Sequence, residues 1–322
     1  MKNGLRRGVF TFLCVMLLSV EVLAAQTLVP VGQVIGIELH DGTVTVAAID
    51  DSLGENVRAA GVQVGDRLVK IDGKPITGAV DVRYRLERSD GTVELEVERE
   101  GKNRKIEVEP VITRDGPRLG VYLRQGVTGV GTVTWYDPHT QTFGALGHGV
   151  NSPDGKLLPL EDGSVYAASV AGVVRGMAGQ PGQLLGSLES QVPIGTLKKN
   201  TPQGIFGTVA AAPEGAELPV AELGEIRTGP AQILSTVAGR RVQRYSVEIL
   251  KIYPGSKETG RNMLLKVTDP LLLEATGGIV QGMSGSPIIQ DGKLVGAVTH
   301  VLVNDPTTGY GIFIENMLDA AA

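Results

Sequence analysis

Cysteine is nearly absent from this 322-residue sequence, and the single residue of this type, Cys14, lies inside an apolar run near the N-terminus. The remaining chain therefore cannot be a disulfide-stabilised fold, a cysteine peptidase or a zinc protein with cysteine ligands. Histidine is also scarce, with four residues and no His-Glu-x-x-His pair. The sequence accordingly predicts no metal centre and no cofactor.

Aromatic side chains make up only 4% of the residues, whereas glycine occurs 44 times. This balance favours tight turns and short strands over long helical bundles. With 42% hydrophobic and 20% charged residues the chain is globular, and its length accommodates about two domains. The net charge of -5, without a cluster of Lys and Arg, argues against nucleic acid as a partner.

The N-terminus has the order of a secretory signal. Three basic residues precede an apolar run at positions 8–20, and Ala24 and Ala25 follow as cleavage candidates. The run is shorter than the roughly 20 residues that cross a bilayer, which favours export over a permanent anchor. We therefore expect residues 1–25 to be a signal or signal anchor. The mature chain would lie outside the cytoplasm or in an intermembrane space.

Residues 28–112 carry the pattern of a small α/β domain. Small residues at 59–61 are followed by Val64-Gly65-Asp66, by two apolar residues and by the turn Ile71-Asp72-Gly73. This order resembles the PDZ domain. The resemblance implies a carboxylate-binding loop and an edge strand that accepts a peptide by β-addition, either a protein C-terminus or a segment of this chain. The residues expected to bind it are Val34, Ile35, Gly36 and Ile37.

Residues 116–320 contain many short apolar or alternating stretches separated by Gly and Pro, with few helix signals. Numerous short strands at close spacing predict a sandwich or barrel. About two hundred residues would fill a double barrel. The sequence thus predicts a mainly β protein with the PDZ-like domain first.

A serine lies in a glycine-rich turn, Gly282-Met283-Ser284-Gly285-Ser286-Pro287, ahead of an apolar strand. Flanking glycines allow close approach of a substrate, and backbone N–H groups outside the strand ladder can face a developing oxyanion. The pattern predicts that Ser284 is a nucleophile. A β-turn with a structural hydroxyl is the alternative.

A serine nucleophile needs a base, because its hydroxyl reacts poorly near neutral pH. His148 is the candidate, since it stands between two glycines after a strand-like stretch. His300 follows another apolar strand, and we interpret it as a subsite or core histidine. His139 and His40 are most simply turn residues.

The orienting carboxylate is predicted at Asp269, which follows an apolar strand fifteen positions before Ser284. A buried acid in this role holds the imidazole tautomer and stabilises the imidazolium. Asp137, Asp154 and Asp162 are alternatives, each in a turn-like Asp-Pro or Asp-Gly context. Asp269 also precedes a proline, so a structural turn would explain it as well.

The order of these motifs resembles the stage IV sporulation protein B family of serine peptidases. The resemblance rests on the PDZ pattern, Ala-Leu-Gly-His-Gly, Thr-Asp-Pro and the segment 277–315, and covers essentially the whole exported chain. It implies a chymotrypsin-like double β-barrel. It also implies catalytic residues at His148, Asp269 and Ser284, and an oxyanion hole formed by the N–H groups of Gly282 and Ser284.

The resemblance further implies a physiological role. In spore-forming bacteria the family's peptidase is secreted between two membranes and cleaves a regulatory subunit of a membrane-embedded protease, which releases processing of a mother-cell sigma factor precursor. Its PDZ domain is implicated in self-recognition, autoproteolysis and substrate targeting. We therefore expect an exported serine endopeptidase with a protein substrate at or near a membrane. A non-catalytic PDZ adaptor and a general envelope quality-control protease are the alternatives.

Overall fold

The computed structural model describes residues 26–152, 155–255 and 259–322. The predicted export signal and Asp154 lie outside these ranges. Within them, no helix is long and apolar enough to cross a membrane.

Most of the described residues lie in β-strands, in keeping with the many glycines and few helix signals of the sequence. The strands of the first half are β1 (Thr27–Pro30), β2 (Val34–Ile49), β3 (Arg67–Ile71), β4 (Lys74–Pro75), β5 (Val93–Arg99), β6 (Lys102–Val108), β7 (Val111–Thr113), β8 (Gly116–Arg118), β9 (Val121–Asp137) and β10 (Thr142–Ala145). Those of the second half are β11 (Asp162–Val174), β12 (Gln183–Leu188), β13 (Gly195–Thr201), β14 (Gly204–Val209), β15 (Leu218–Pro219), β16 (Gly229–Thr236), β17 (Val242–Ile252), β18 (Met263–Val267), β19 (Pro287–Gln290), β20 (Lys293–Leu302) and β21 (Asp305–Phe313). The helices are α1 (Glu55–Ala60), α2 (Ala79–Glu87), α3 (Pro270–Thr276) and α4 (Ile314–Ala321), and a 3₁₀ turn spans Leu223–Glu225.

Six strands close the first barrel in the order β2, β9, β10, β14, β13 and β11, because β2 pairs with both β9 and β11. Leu39, Phe143, Val165 and Ile205 are buried in its interior. Aliphatic side chains supply most of this core, as expected for a sequence poor in aromatics. Burial of each large apolar side chain contributes about 1.5–3 kcal/mol relative to exposure.

The second barrel consists of β16, β17, β18, β21, β20 and β19. In β17 the buried residues Tyr245, Val247 and Ile249 alternate with exposed ones, which is the period of a strand with one face in a core. Helix α4 packs beside this barrel and buries Met317 completely. The chymotrypsin-like double β-barrel predicted from the sequence is confirmed.

The PDZ-like unit consists of the second half of β2, the segment from α1 to β6, and the first half of β9. Asp66 of the Gly-Asp motif is fully buried and accepts hydrogen bonds from Arg99 Nε at 2.6 Å and from the Gln63 N–H at 2.9 Å. Burial raises the pKa of the Asp66 carboxyl, but the hydrogen bonds outweigh this effect and hold its pKa below the ordinary value. The Gly-Asp motif therefore encodes a buried charge that has a partner. Removing one partner alone leaves the other charge uncompensated and lowers the stability of the fold.

Strands β2 and β9 run through both units. Residues 34–39 pair with 127–132 inside the first barrel, and residues 44–49 pair with 121–125 in the PDZ-like sheet. The structure therefore differs from the division of the chain into 28–112 and 116–320, because each strand contributes to both units. Pairing between segments so distant in sequence leaves no local pattern.

The peptide-accepting edge predicted at Val34, Ile35, Gly36 and Ile37 is wrong. These residues pair with β9 on one side, and from Ile35 onward they pair with β11 on the other. All four are buried. An interior strand has no unpaired row of N–H and C=O groups to offer a peptide.

Gly126 lies at the junction of the two units and provides a test of how tightly β2 and β9 are joined there. Its φ is +59°, and an added Cβ would overlap the carbonyl oxygen of Leu39. We expect Gly126→Ala to lower the free energy of unfolding by about 2 kcal/mol or more, measured by urea denaturation. Gly129→Ala is the matched control, because Gly129 has an ordinary φ and no atom within 4 Å of an added Cβ. Equal losses in the two variants would contradict the expectation.

Candidate active site

His148 and Ser284 line one cavity of about 530 Å³, to which both barrels contribute. His148 follows β10 of the first barrel, and Ser284 precedes β19 of the second. The fold thus brings together the predicted base and nucleophile, which are 136 positions apart in the chain.

The serine turn is held by backbone contacts with β9. Thr132 donates from its N–H to the Ser284 carbonyl at 3.1 Å and from its hydroxyl to the Gly282 carbonyl at 2.7 Å. Gly285 has a φ of +97°, and an added Cβ would overlap the Thr132 carbonyl oxygen. Only glycine fits this close approach, which explains the residue after the serine.

The N–H groups around the serine divide into paired and unpaired ones. Backbone oxygens accept hydrogen bonds from the N–H groups of Met283, Gly285 and Ser286. Among the described residues, none accepts from Gly282 or Ser284. An oxyanion hole requires unpaired donors of this kind, and its assignment to Gly282 and Ser284 stays a prediction.

The Ser284 hydroxyl donates to the Thr299 carbonyl oxygen at 2.7 Å. Within the described chain it makes no hydrogen bond to His148. Ser284 and His148 therefore share the cavity in this conformation without forming the nucleophile–base contact.

A strained turn carries His148 into the cavity. Leu146 and Gly147 both have φ near +69°, and this conformation is uncommon for leucine. His148 Nδ1 lies 2.9 Å from the Gly149 carbonyl oxygen, so Nδ1 carries the proton of the neutral ring and Nε2 has the lone pair. Burial lowers the pKa of the His148 imidazole below 6.5. The neutral ring is the form that a base requires.

Asn200, at the end of β13, was not identified from the sequence. Its side chain accepts from the Val150 N–H at 2.9 Å and donates to the carbonyls of Val150 at 2.9 Å and Leu158 at 2.8 Å. These bonds fix the chain two residues after His148. A single asparagine has no local sequence pattern that would reveal this role.

The Asp269 carboxylate binds backbone groups. It accepts hydrogen bonds from the N–H groups of Leu271 at 3.0 Å, Leu272 at 3.2 Å and Ser246 at 3.1 Å. Asp269 is thus the N-cap of α3, with a proline at the first helical position.

Within the described chain, the Asp269 carboxylate makes no hydrogen bond to His148, whose Nδ1 lies beside the Gly149 carbonyl oxygen instead. The catalytic role of Asp269 stays a prediction.

The alternative acids also have other contacts. Asp137 accepts from the His139 N–H at 2.8 Å, as in a turn. Asp162 lies 2.7 Å from His40 Nδ1, and His40 Nε2 lies 3.2 Å from Glu38. None of these residues lines the cavity.

His300 lies in the wall of the cavity, as expected for a subsite histidine. Its ring centre is 5.4 Å from that of His148, and the ring planes are inclined by 40°. His300 Nδ1 is buried without a hydrogen-bond partner. Burial, with smaller contributions from His148 and Arg261, lowers the pKa of His300 to about 4.

The rest of the cavity wall is neutral. Among the residues that the structure describes, no Asp, Glu, Lys or Arg lines it, and most of the lining side chains are aliphatic. In the described part of the chain, no group of three or more His, Cys, Asp and Glu side chains could hold a metal ion.

A second groove, of about 470 Å³, lies in the PDZ-like unit between α2 and residues 119–123. Residues 121–125 of β9 pair with β2 on one side, and no other described strand pairs with them on the second side. The groove is lined by Val82 and Leu86 of α2 and by Leu119. A free strand edge facing a helix is therefore present here rather than at residues 34–37.

Comparisons with known proteins match both units. The family model for SpoIVB peptidase S55 matches residues 115–318, and a PDZ domain model matches residues 45–99. A putative zinc metalloprotease of Rhizobium meliloti is 40% identical over 74 residues, which cover 23% of this chain and 20% of that protein. The chain thus spans about a fifth of the length of this relative.

Solved structures give weaker matches. The active form of the Rv3671c protease from M. tuberculosis is 16% identical, with a TM-score of 0.37, over 60% of this chain and 73% of that one. A PDZ domain of an SdrC-like protein from Listeria monocytogenes is 21% identical, with a TM-score of 0.22, over 25% of this chain and 85% of that one. The peptidase model, however, covers well over half of the sequence, and the chain therefore belongs to the SpoIVB peptidase S55 family, a serine peptidase that carries a PDZ domain.

Proposed function

We propose that this serine peptidase is an exported endopeptidase in which Ser284 is the nucleophile and His148 the general base. The observation that carries the proposal is that one cavity between the barrels holds both side chains, with two unpaired N–H groups beside the serine. The order of basic residues, apolar run and small residues within positions 1–25 supports export.

Peptide hydrolysis proceeds in two steps. His148 Nε2 takes the proton of the Ser284 hydroxyl as its oxygen attacks the peptide carbonyl, and the N–H groups of Gly282 and Ser284 bind the oxyanion. The imidazolium then gives its proton to the leaving amine. Water attacks the acyl-enzyme with His148 again as base, and the carboxylic acid leaves Ser284.

The serine must turn before it can attack. Its hydroxyl now donates to the Thr299 carbonyl, and rotation about χ1 toward His148 breaks this bond. The bond contributes about 0.5–1.5 kcal/mol net, so the rearrangement is a small part of a catalytic barrier.

The substrate is proposed to be a protein segment with neutral, aliphatic side chains at the cleavage site. A charged side chain would lose its hydration in the cavity without gaining an opposite charge from the lining residues. From the family resemblance we further propose that the substrate lies at or near a membrane and that the peptidase acts in intermembrane signalling during sporulation. We also propose that it cleaves its own chain.

The PDZ groove is proposed to recruit that substrate or a segment of this chain. The unpaired edge at residues 121–125 can add a peptide strand, while Val82 and Leu86 can contact its side chains. This placement replaces the one at residues 34–37.

The peptidase can be tested with the full chain on an unfolded protein substrate. We expect Ser284→Ala to abolish cleavage and labelling by a fluorophosphonate, because the substitution removes the hydroxyl of the proposed nucleophile. Ser286→Ala is the matched control from the same turn, since its hydroxyl donates to Ser235 in the interior at 3.0 Å. Cleavage should persist in this control. A folded wild-type chain that neither cleaves nor labels would favour the adaptor alternative.

The pH dependence of kcat/KM tests the base. Burial lowers the His148 pKa, and only the neutral ring accepts the serine proton. Activity should therefore fall as the pH decreases through a midpoint below 6.5. His40→Ala should leave this limb unchanged: burial lowers the His40 pKa, but hydrogen bonds to Asp162 and Glu38 raise it overall, and His40 lies outside the cavity. A midpoint at or above 6.5 would contradict the assignment.

Two substitutions of Asp269 separate capping from catalysis. From its contacts, we expect Asp269→Ala to lower the free energy of unfolding by about 1 kcal/mol and Asp269→Asn to change it little, because asparagine also caps helices. In the folded fraction, an unchanged kcat/KM would limit Asp269 to capping, whereas a loss of about 10⁴-fold in a fully folded Asp269→Asn protein would establish it as the triad acid.

A further inference from the structure

His148 and His300 form a pair of imidazoles in one cavity, with ring centres 5.4 Å apart. A zinc ion bound to one nitrogen of each ring, at about 2.0–2.1 Å and near the tetrahedral angle, separates the ring centres by about 5 Å. The observed ring-centre separation of 5.4 Å is close to this value.

Both rings have an unused lone pair. The Gly149 carbonyl oxygen lies beside His148 Nδ1, which leaves Nε2 as the lone-pair nitrogen, and no described group donates to it. His300 Nδ1 is buried without a hydrogen-bond partner among the described residues, so a lone pair on this nitrogen is unused.

We propose that zinc, or another transition metal that prefers imidazole, binds reversibly between His148 and His300 and inhibits the peptidase. The inhibition rests on the proposed role of His148, whereas the metal site itself does not. Two protein ligands leave the remaining positions of the ion to water, and the ion is an inhibitor rather than a resident cofactor.

The cavity determines which metals would bind. Magnesium and calcium prefer carboxylate oxygens, and none of the described residues that line the cavity carries a carboxylate. Arg261 lies close enough to His300 to lower its pKa and also weakens binding of any cation. We therefore expect a selective but moderate site for zinc and copper.

Zinc binding is measured by titration calorimetry of the full chain carrying Ser284→Ala, so that self-cleavage does not interfere. Adding His300→Ala should weaken the binding by about tenfold or more, because one of two protein ligands is lost. Adding His139→Ala is the matched control, since His139 is an exposed turn residue, and it should leave the affinity unchanged. If the His300→Ala variant does not fold, His300→Gln takes its place in the titration, and a thermal melting curve checks that this variant is folded.

Inhibition is measured by fluorophosphonate labelling of the wild-type chain with zinc chloride. Zinc should slow labelling, a chelator should restore it, and magnesium or calcium should have no effect. Zinc affinity that does not depend on His300, or zinc binding that leaves labelling unchanged, overturns the proposal. Zinc binding that depends on His300 in a chain that never labels would support the metal site and reject the peptidase mechanism.

Discussion

The close packing of Gly285 against the carbonyl of Thr132 fixes how the two barrels meet. Two hydrogen bonds from Thr132 to the serine turn surround this contact, so the proposed nucleophile of the second barrel is positioned by a strand of the first. A side chain at position 285 would separate the two segments. The geometry of the cavity depends on this one backbone approach.

The same strand extends into the PDZ domain. β9 carries Thr132 at the serine turn and, about 30 Å earlier along the chain, residues 121–123 at the edge of the peptide groove. Between these positions β9 is hydrogen-bonded to β2. The pairing is irregular in places, and one irregularity lies at the junction near Gly126. A groove and an active site are thus connected by one element rather than by a flexible linker.

The sequence was sufficient for features that depend on local chemistry. The glycines around Ser284 and His148, noted in the sequence for close approach, are required in the fold by close contacts or positive φ. Long-range features were not accessible in this way. The double pairing of residues 34–37 and the role of Asn200 arise from segments that meet only in the folded chain. Asp269 shows the remaining ambiguity, because an acid before a proline is typical of both a helix cap and a catalytic loop.

The electrostatics of His148 connects catalysis with metal binding. A carboxylate at Nδ1 would stabilise the imidazolium and raise the pKa, whereas the structure has the neutral carbonyl of Gly149 there, in a buried site. The ring therefore stays a neutral donor of one lone pair at Nε2. This lone pair can accept the proton of Ser284 or coordinate a metal ion, but it cannot do both. The proposed mechanism and the proposed metal site thus use the same buried lone pair of His148, and the ring centre of His300 lies 5.4 Å from that of His148 in the same cavity.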